Sequence, residues 1–155
     1  MKAGMNHVEK YYGKSIERIQ NECIGPSAYN HRYAAALDAL LTRLGQTPSV
    51  IELPPSGLIY KSWRVVKQAN GLIVTLTDRP ENIVKRLIFT DVDSKPIEVT
   101  LTARQKDRYL IDIRKDITYY KTGHSRAHFQ VDLDGLTPAE AADKVISISQ
   151  FMPLH

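Results

Sequence analysis

Residues 97–133 read IEVTLTARQKDRYLIDIRKDITYYKTGHSRAHFQVDL. Three runs inside this stretch alternate apolar and polar side chains. In 97–104, Ile97, Val99 and Leu101 share one face, while Glu98, Thr100, Thr102 and Arg104 share the other. In 109–114, Tyr109, Ile111 and Ile113 oppose Leu110, Asp112 and Arg114. In 128–133, Phe129, Val131 and Leu133 oppose His128, Gln130 and Asp132. A period of two is the strand pattern, so the stretch predicts three strands, with a further one at 117–121.

Upstream, the runs 58–67, 72–77 and 83–90 are β-rich and divided by turn residues. Asn70-Gly71 lies between the first two and predicts a tight hairpin. Connections this short hold no crossover helix, so neighbouring strands are expected to be antiparallel. The segment from about 50 to 133 therefore reads as a meander of six or seven mainly antiparallel strands.

The flanks read as helices. Val8, Tyr12, Ile16, Ile19 and Cys23 form one apolar stripe over about 7–23, with Asn6 and Glu9 spaced as a capping box. Gly25-Pro26 ends that stripe, and Tyr33, Leu37, Leu40 and Leu44 give a second one up to Gly45. The two form a helical hairpin over about 7–45. Thr137, Pro138 and Glu140 open a last helix over about 138–152, with Ala141, Val145, Ile148 and Met152 on its core side and Pro153 ending it. The expected fold is α+β: a helical hairpin, the antiparallel sheet, and a C-terminal helix packed on one sheet face.

At 155 residues the chain suits one domain spanning 1–155. Its 43% hydrophobic and 25% charged content is that of a globular protein. The single cysteine, Cys23, excludes an intrachain disulfide and a cysteine-based zinc site. No stretch has the apolar length of a membrane span, and the first twenty residues hold no signal-peptide core, so the expected location is the cytoplasm with no membrane partner.

The net charge of +4 is unevenly spread. Residues 61–126 hold fourteen basic and eight acidic side chains, whereas 127–155 hold one basic and four acidic. A basic middle favours a polyanionic partner, RNA first. The eight glycines are scattered singly, so no phosphate-binding glycine loop exists, and neither GxSxG nor HExxH occurs. The second helix carries only Arg32 and Arg43, too few for a groove-reading helix.

In register, the polar faces of the strands would gather Glu98, Arg104, Asp112, Arg114, Tyr119 or Tyr120, and His128. Such a set can cleave RNA without a metal. Glu98 takes the 2′-hydroxyl proton, His128 protonates the leaving oxygen, and arginines hold the phosphate. His124, in the turn before the strand, is the alternative acid. Arg104, Arg108, Arg114 and Arg126 are the expected phosphate contacts, and Tyr120 a base-stacking surface. His124 and His128 are spaced for a helix but read as loop and strand, so no metal site is predicted, and no cofactor. The layout, helices ahead of a sheet, resembles small microbial ribonucleases and toxin domains.

That resemblance implies a metal-independent ribonuclease. The alternative is a protein-interaction module of the immunity, adaptor or phage-inhibitor kind, with a protein partner. A third reading rests on Cys23-Ile24-Gly25-Pro26-Ser27, which resembles the opening of papain-like cysteine hydrolases. Cys23 lies at a helix end, where no dipole activates a thiol. The oligomeric state is left open.

Overall fold

The structure, a computed structural model, describes the backbone of residues 5–150 and the side chains from His7 onward. The side chain of Asn6, and Met152 and Pro153 of the expected last helix, lie outside the described residues. In chain order the elements are α1 (Met5–Tyr12), α2 (Ile16–Asn21), α3 (Gly25–Leu44), a 3-10 turn (Pro55–Leu58), α4 (Tyr60–Val66), β1 (Val74–Thr77) and α5 (Pro80–Ile83). A second 3-10 turn (Val84–Arg86) leads to β2 (Phe89–Thr90) and β3 (Pro96–Ile97), followed by α6 (Ala103–His124), β4 (Phe129–Asp132) and α7 (Pro138–Gln150). They fall into two compact units, Met1–Ala69 with Phe89–Glu98, and Asn70–Ile88 with Val99–His155.

The antiparallel meander is not there. Among the described residues the strands form two two-stranded sheets, a parallel pair β1–β4 and a minimal antiparallel hairpin β2–β3. The largest departure is α6, a helix of 22 residues over the stretch expected to hold strands at 109–114 and 117–121 and the last two residues of that at 97–104. Three features decide it. No glycine, proline or asparagine occurs from Ile97 to Thr122, so the expected strands had no turns between them. Thr102 and Gln105 form a reciprocal capping box, with Thr102 Oγ1 accepting from the Gln105 N–H at 3.3 Å and Gln105 Oε1 accepting from the Thr102 N–H at 2.8 Å. Leu110, Ile113, Ile117, Tyr120 and His124 also recur at helical spacing, and four of these five are half-buried. The alternation at 109–113 is real but secondary to this stripe.

The same misreading inverted the sheet. With α6 as a crossover, β1 and β4 pair in parallel, Val74 opposite Phe129 and Thr77 opposite Asp132. Asn70-Gly71 makes no hairpin; it leads from α4 into β1. The expected strand 58–67 is α4 instead, and Tyr60 at φ +53° has a conformation no strand accepts. Of the run 83–90 only Phe89–Thr90 forms a strand.

In the first unit the expected helix over 7–23 is broken. Gly13 turns at φ +65°, a left-handed conformation that favours glycine. Ser15 then caps α2 by accepting the Arg18 N–H at 3.4 Å, and Glu9 accepts the Ile16 N–H at 3.1 Å. Val8, Ile19, Tyr33, Leu37 and Leu40 form the core, with α3 against α1 and α4. Ala34 and Ala36 are buried too, and their small side chains allow close packing of α3. Asn30 is the one polar residue of α3 inside that core, and it receives its partners from α4. Gly57 is fixed by space, since a Cβ there would stand 2.7 Å from Leu53 Cβ.

In the second unit Thr75 and Val131 are buried on the parallel pair, α7 packs against β4, and α5 against α6. His128 pins the start of the ladder: its N–H donates to Ile73 O at 2.9 Å, and its Nδ1 accepts the Ile73 N–H at 2.9 Å. No helix of the described residues is long and apolar enough to cross a membrane.

Candidate functional site

Because β1 and β4 are parallel, their carboxyl ends lie on one edge of the sheet. In open α/β sheets that edge is where ligands bind. Each strand leads into a polar turn and then a proline-started helix: Asp78-Arg79-Pro80 into α5, and Asp134-Gly135 with Thr137-Pro138 into α7. Pro80 and Pro138 sit at first helical positions, where the missing N–H costs nothing. Gly135 at φ +74° makes the second turn.

Asn82 joins the two turns. Its Nδ2 donates to Asp78 Oδ1 at 2.8 Å and to Asp134 Oδ1 at 2.9 Å. Asp78 also accepts the Arg79 backbone N–H at 2.7 Å and is paired with the Arg86 guanidinium. Its carboxylate is only 4% exposed, whereas the Arg86 side chain is 52% exposed. Arg79 reaches across to Asp134 at 2.6 Å. Beside them, Arg114 of α6 holds Glu81 of α5 at 2.7 Å.

These contacts set the charges. The Asn82 amide, with the Arg79 N–H and Arg86, holds the Asp78 carboxyl below its ordinary range. Arg79 does the same for Asp134. Glu81 is lowered by its own backbone N–H and then by Arg114. All three carboxylates therefore stay ionised at neutral pH and fix three exposed guanidiniums. A guanidinium carries five donors, and each of these ion pairs is made through one Nη2. The arrangement suits a planar anion such as a carboxylate or phosphate.

The first unit holds a groove of about 640 Å³ lined by Lys14, Ser15, Arg18, Glu22 and Asp93 among others. Its charges are matched internally: Lys14 and Arg32 meet Glu22 at 2.5 and 3.0 Å, and Arg18 meets Asp93 at 2.9 Å. Gly13-Lys14-Ser15 copies the end of a phosphate-binding loop. Val8 stands where that motif needs its first glycine, and α2 is only six residues long.

None of the residues expected to form an RNA-cleaving sheet face lies on a strand. Glu98 follows β3 in the first unit; His124 ends α6 and His128 precedes β4 in the second. Arg104, Arg108 and Arg114 lie on α6 rather than on strands, and Arg126 follows it. Tyr120 packs edge-on to Tyr119 and stacks on His124, at ring separations of 4.9 and 6.1 Å. Of the set, Arg114 alone belongs to the polar edge described above. Cys23 is half-buried in the turn between α2 and α3, its N–H donating to Gln20 O at 3.0 Å. Among the described residues no group of three or more His, Cys, Asp or Glu is placed to hold a metal ion.

No family model matches the sequence, and no curated protein does. The solved structures do. A 1.7 Å crystal structure of shikimate kinase from Bacteroides thetaiotaomicron superposes with a TM-score of 0.68 at 14% identity, covering 95% of this chain and 80% of that one. The fold resembles that of shikimate kinase. This likeness, at an identity where only the fold follows, overturns the antiparallel α+β expectation and with it the toxin-like, nucleic-acid-cleaving reading that rested on that sheet.

The polar edge was missed because Asp78 to Asn82 fall between the expected strands, while Arg86 and Arg114 were expected on strands at 83–90 and 109–114. A signal was present. LIVTLT-Asp78 and FQV-Asp132 are each an apolar strand run into an aspartate, and each is followed by a proline-started helix with an early glutamate, Glu81 or Glu140. Two such strand-to-helix units are the mark of a parallel sheet.

Proposed function

We propose that the chain works as a small-molecule kinase-fold protein that binds a compact anionic metabolite, by its phosphate or carboxylate, at the polar edge of β1 and β4. The observation that carries this reading is the set Arg79, Arg86 and Arg114, each oriented by a carboxylate at the carboxyl end of a parallel pair. Support comes from the likeness to a kinase of the small molecule shikimate. In phosphoryl transfer the protein supplies positioning and positive charge for the phosphoryl oxygens. Guanidiniums held by Asp78, Asp134 and Glu81 supply both.

Kinase chemistry uses a divalent cation, bound through one or two carboxylates and the nucleotide phosphates. Asp78 accepts from Asn82, Arg79 and Arg86 through both its oxygens, and Asp134 accepts from Arg79 and Asn82 through Oδ1. Both carboxylates are engaged by arginines, and among the described residues no group of three or more His, Cys, Asp or Glu is placed to hold an ion, so no step is assigned to one. The roles that remain are binding and orientation of the anion by the three arginines, with Asn82 locking the two turns.

The experiment is ligand binding by calorimetry with ATP, ADP and inorganic phosphate, alongside ADP release in the presence of small hydroxy acids. Arg86→Ala and Arg114→Ala are expected to weaken nucleotide or acid binding by about tenfold each, the value of one hydrogen bond to a charged group. Unchanged affinity in both variants, or no binding of any of these anions at millimolar concentration, overturns the reading.

A further inference from the structure

The amino end of the parallel pair is closed by a titratable side chain. Ile73 stands just ahead of β1, and both its backbone groups go to His128. Its O accepts the His128 N–H at 2.9 Å, and its N–H donates to His128 Nδ1 at 2.9 Å. At this rung a parallel ladder would offer the Ile73 N–H a backbone carbonyl; here an imidazole takes the carbonyl's place. One residue further on, backbone register begins, with Val74 opposite Phe129. The chain ahead of the rung, Asn70-Gly71-Leu72, belongs to no helix or strand.

A ring nitrogen accepts a hydrogen bond only when it carries no proton. The bond from Ile73 therefore requires a neutral imidazole with its hydrogen on Nε2. A proton on Nδ1 turns the acceptor into a donor aimed at another donor, so the bond is lost and the ring must turn away. Ile73 O is no outlet for the new N–H, since it already accepts from His128 and, at 3.3 Å, from Phe129. Histidine changes its charge between pH 5 and 8. The charged and titratable groups on the surrounding elements are few. Residues 70–77 carry none, the end of α6 carries Lys121 and His124, the turn after it Arg126, β4 Asp132, and α7, which packs on β4, Asp143 and Lys144. Among the described residues no carboxylate forms an ion pair with the imidazole, so the cationic ring has no such contact to offset the lost bond.

We propose that His128 is a pH-sensitive fastener of this fold: as neutral imidazole it ties the amino end of β1 to β4, and once protonated it lets that end go. The fastener sits at the opposite end of the two strands from the arginine edge and does not depend on what binds there.

The test follows the Ile73 amide and the His128 ring nitrogens by heteronuclear NMR of the full chain from about pH 8 to about pH 5. At the upper end the ring is expected to show the Nε2–H tautomer and the Ile73 amide proton the downfield shift of a bonded group. As the ring gains its proton, the amide should move upfield with the same midpoint. Its protection against exchange should fall about fivefold, the worth of one hydrogen bond. His128→Asn sets Oδ1 where Nδ1 stands and should keep the amide in its bonded position at every pH. His128→Ala should leave it unbonded at every pH. A parent whose Ile73 amide stays still while the ring titrates overturns the proposal. An amide that keeps the parent's pH response in His128→Asn overturns it as well, because another group is then the sensor.

Discussion

Asn30 is the residue whose loss the packing of the first unit should tolerate least. It lies at 3% exposure on α3 and serves four partners. Its Nδ2 donates to Ser62 Oγ at 3.0 Å and Ser56 O at 3.5 Å, and its Oδ1 accepts the N–H groups of Lys61 and Ser62 at 3.1 and 3.4 Å. Those two N–H groups belong to the first turn of α4, which has no side-chain cap of its own at Ile59. Asn30 is thus a helix cap delivered from another helix. Truncation to alanine removes the cap, worth about 1 kcal/mol. It also strands the Ser62 hydroxyl and a backbone N–H in a dry site, at about 1 kcal/mol or more each. Asn30→Ala should therefore cost about 3 kcal/mol, a drop in Tm of roughly 6–12 °C for a chain of this length. Asn30→Asp keeps the oxygen that accepts both N–H groups and sets a carboxylate at a helix N-terminus, but it replaces the Nδ2 donor with an acceptor facing Ser56 O, so only part of the loss should be recovered. The readout is fluorescence of Trp63, the chain's single tryptophan and part of α4, during urea unfolding. An Asn30→Ala midpoint that corresponds to a loss under about 0.5 kcal/mol, with the m-value unchanged, would refute the argument.

Much of the helical part was legible because its apolar residues repeat at one spacing only. Tyr33, Leu37 and Leu40 have no competing alternation, and α3 ends at Leu44, one residue before the expected stop at Gly45. The stretch 103–124 carries both periods at once. Tyr109, Ile111 and Ile113 alternate, while Leu110, Ile113, Ile117 and Tyr120 recur at three and four. What separates the readings is punctuation: a chain that must reverse twice favours glycine, proline or asparagine at its turns, and this stretch has none of the three before Gly123. Once α6 was divided into strands, the crossover vanished and a parallel pair became antiparallel by default. The site followed the same course. Expected function was placed on a sheet face, but a parallel sheet presents its site at strand ends, on turn residues such as Asp78 and Asp134. Of the expected phosphate contacts Arg114 alone reaches the polar edge, from α6 rather than from a strand. The break at Gly13 had a visible cause too, since Gly13-Lys14-Ser15 sets a glycine two residues before a capping serine. The stripe from Val8 to Cys23 ran across it unbroken and hid it.

Two further outcomes follow from the hydrogen bonds. Thr102→Ala removes half of the capping box of α6 and should cost about 1 kcal/mol, seen as faster amide exchange in the first turn of the helix; exchange unchanged from Gln105 to Arg108 would mean that the box does not hold that turn. Acid should destabilise the protein more steeply than its modest net charge suggests. Asp78 is lowered chiefly by Asn82, Asp134 by Arg79, Glu22 by Lys14, and Glu140 by the Thr137 N–H. Each binds its proton less readily when folded, so the unfolded chain takes up protons first as pH falls. The stabilisation is fully present above the ordinary carboxylate range near pH 4 and is lost as pH drops through the lower folded values. Asn82→Ala takes from Asp78 its largest source of depression and from Asp134 a second one. Urea midpoints of this variant and the parent, measured from pH 7 to pH 2.5, should differ most at neutral pH and converge in acid. Midpoints that stay equally far apart at every pH would mean that Asn82 acts by packing alone and leaves the two aspartates as they were.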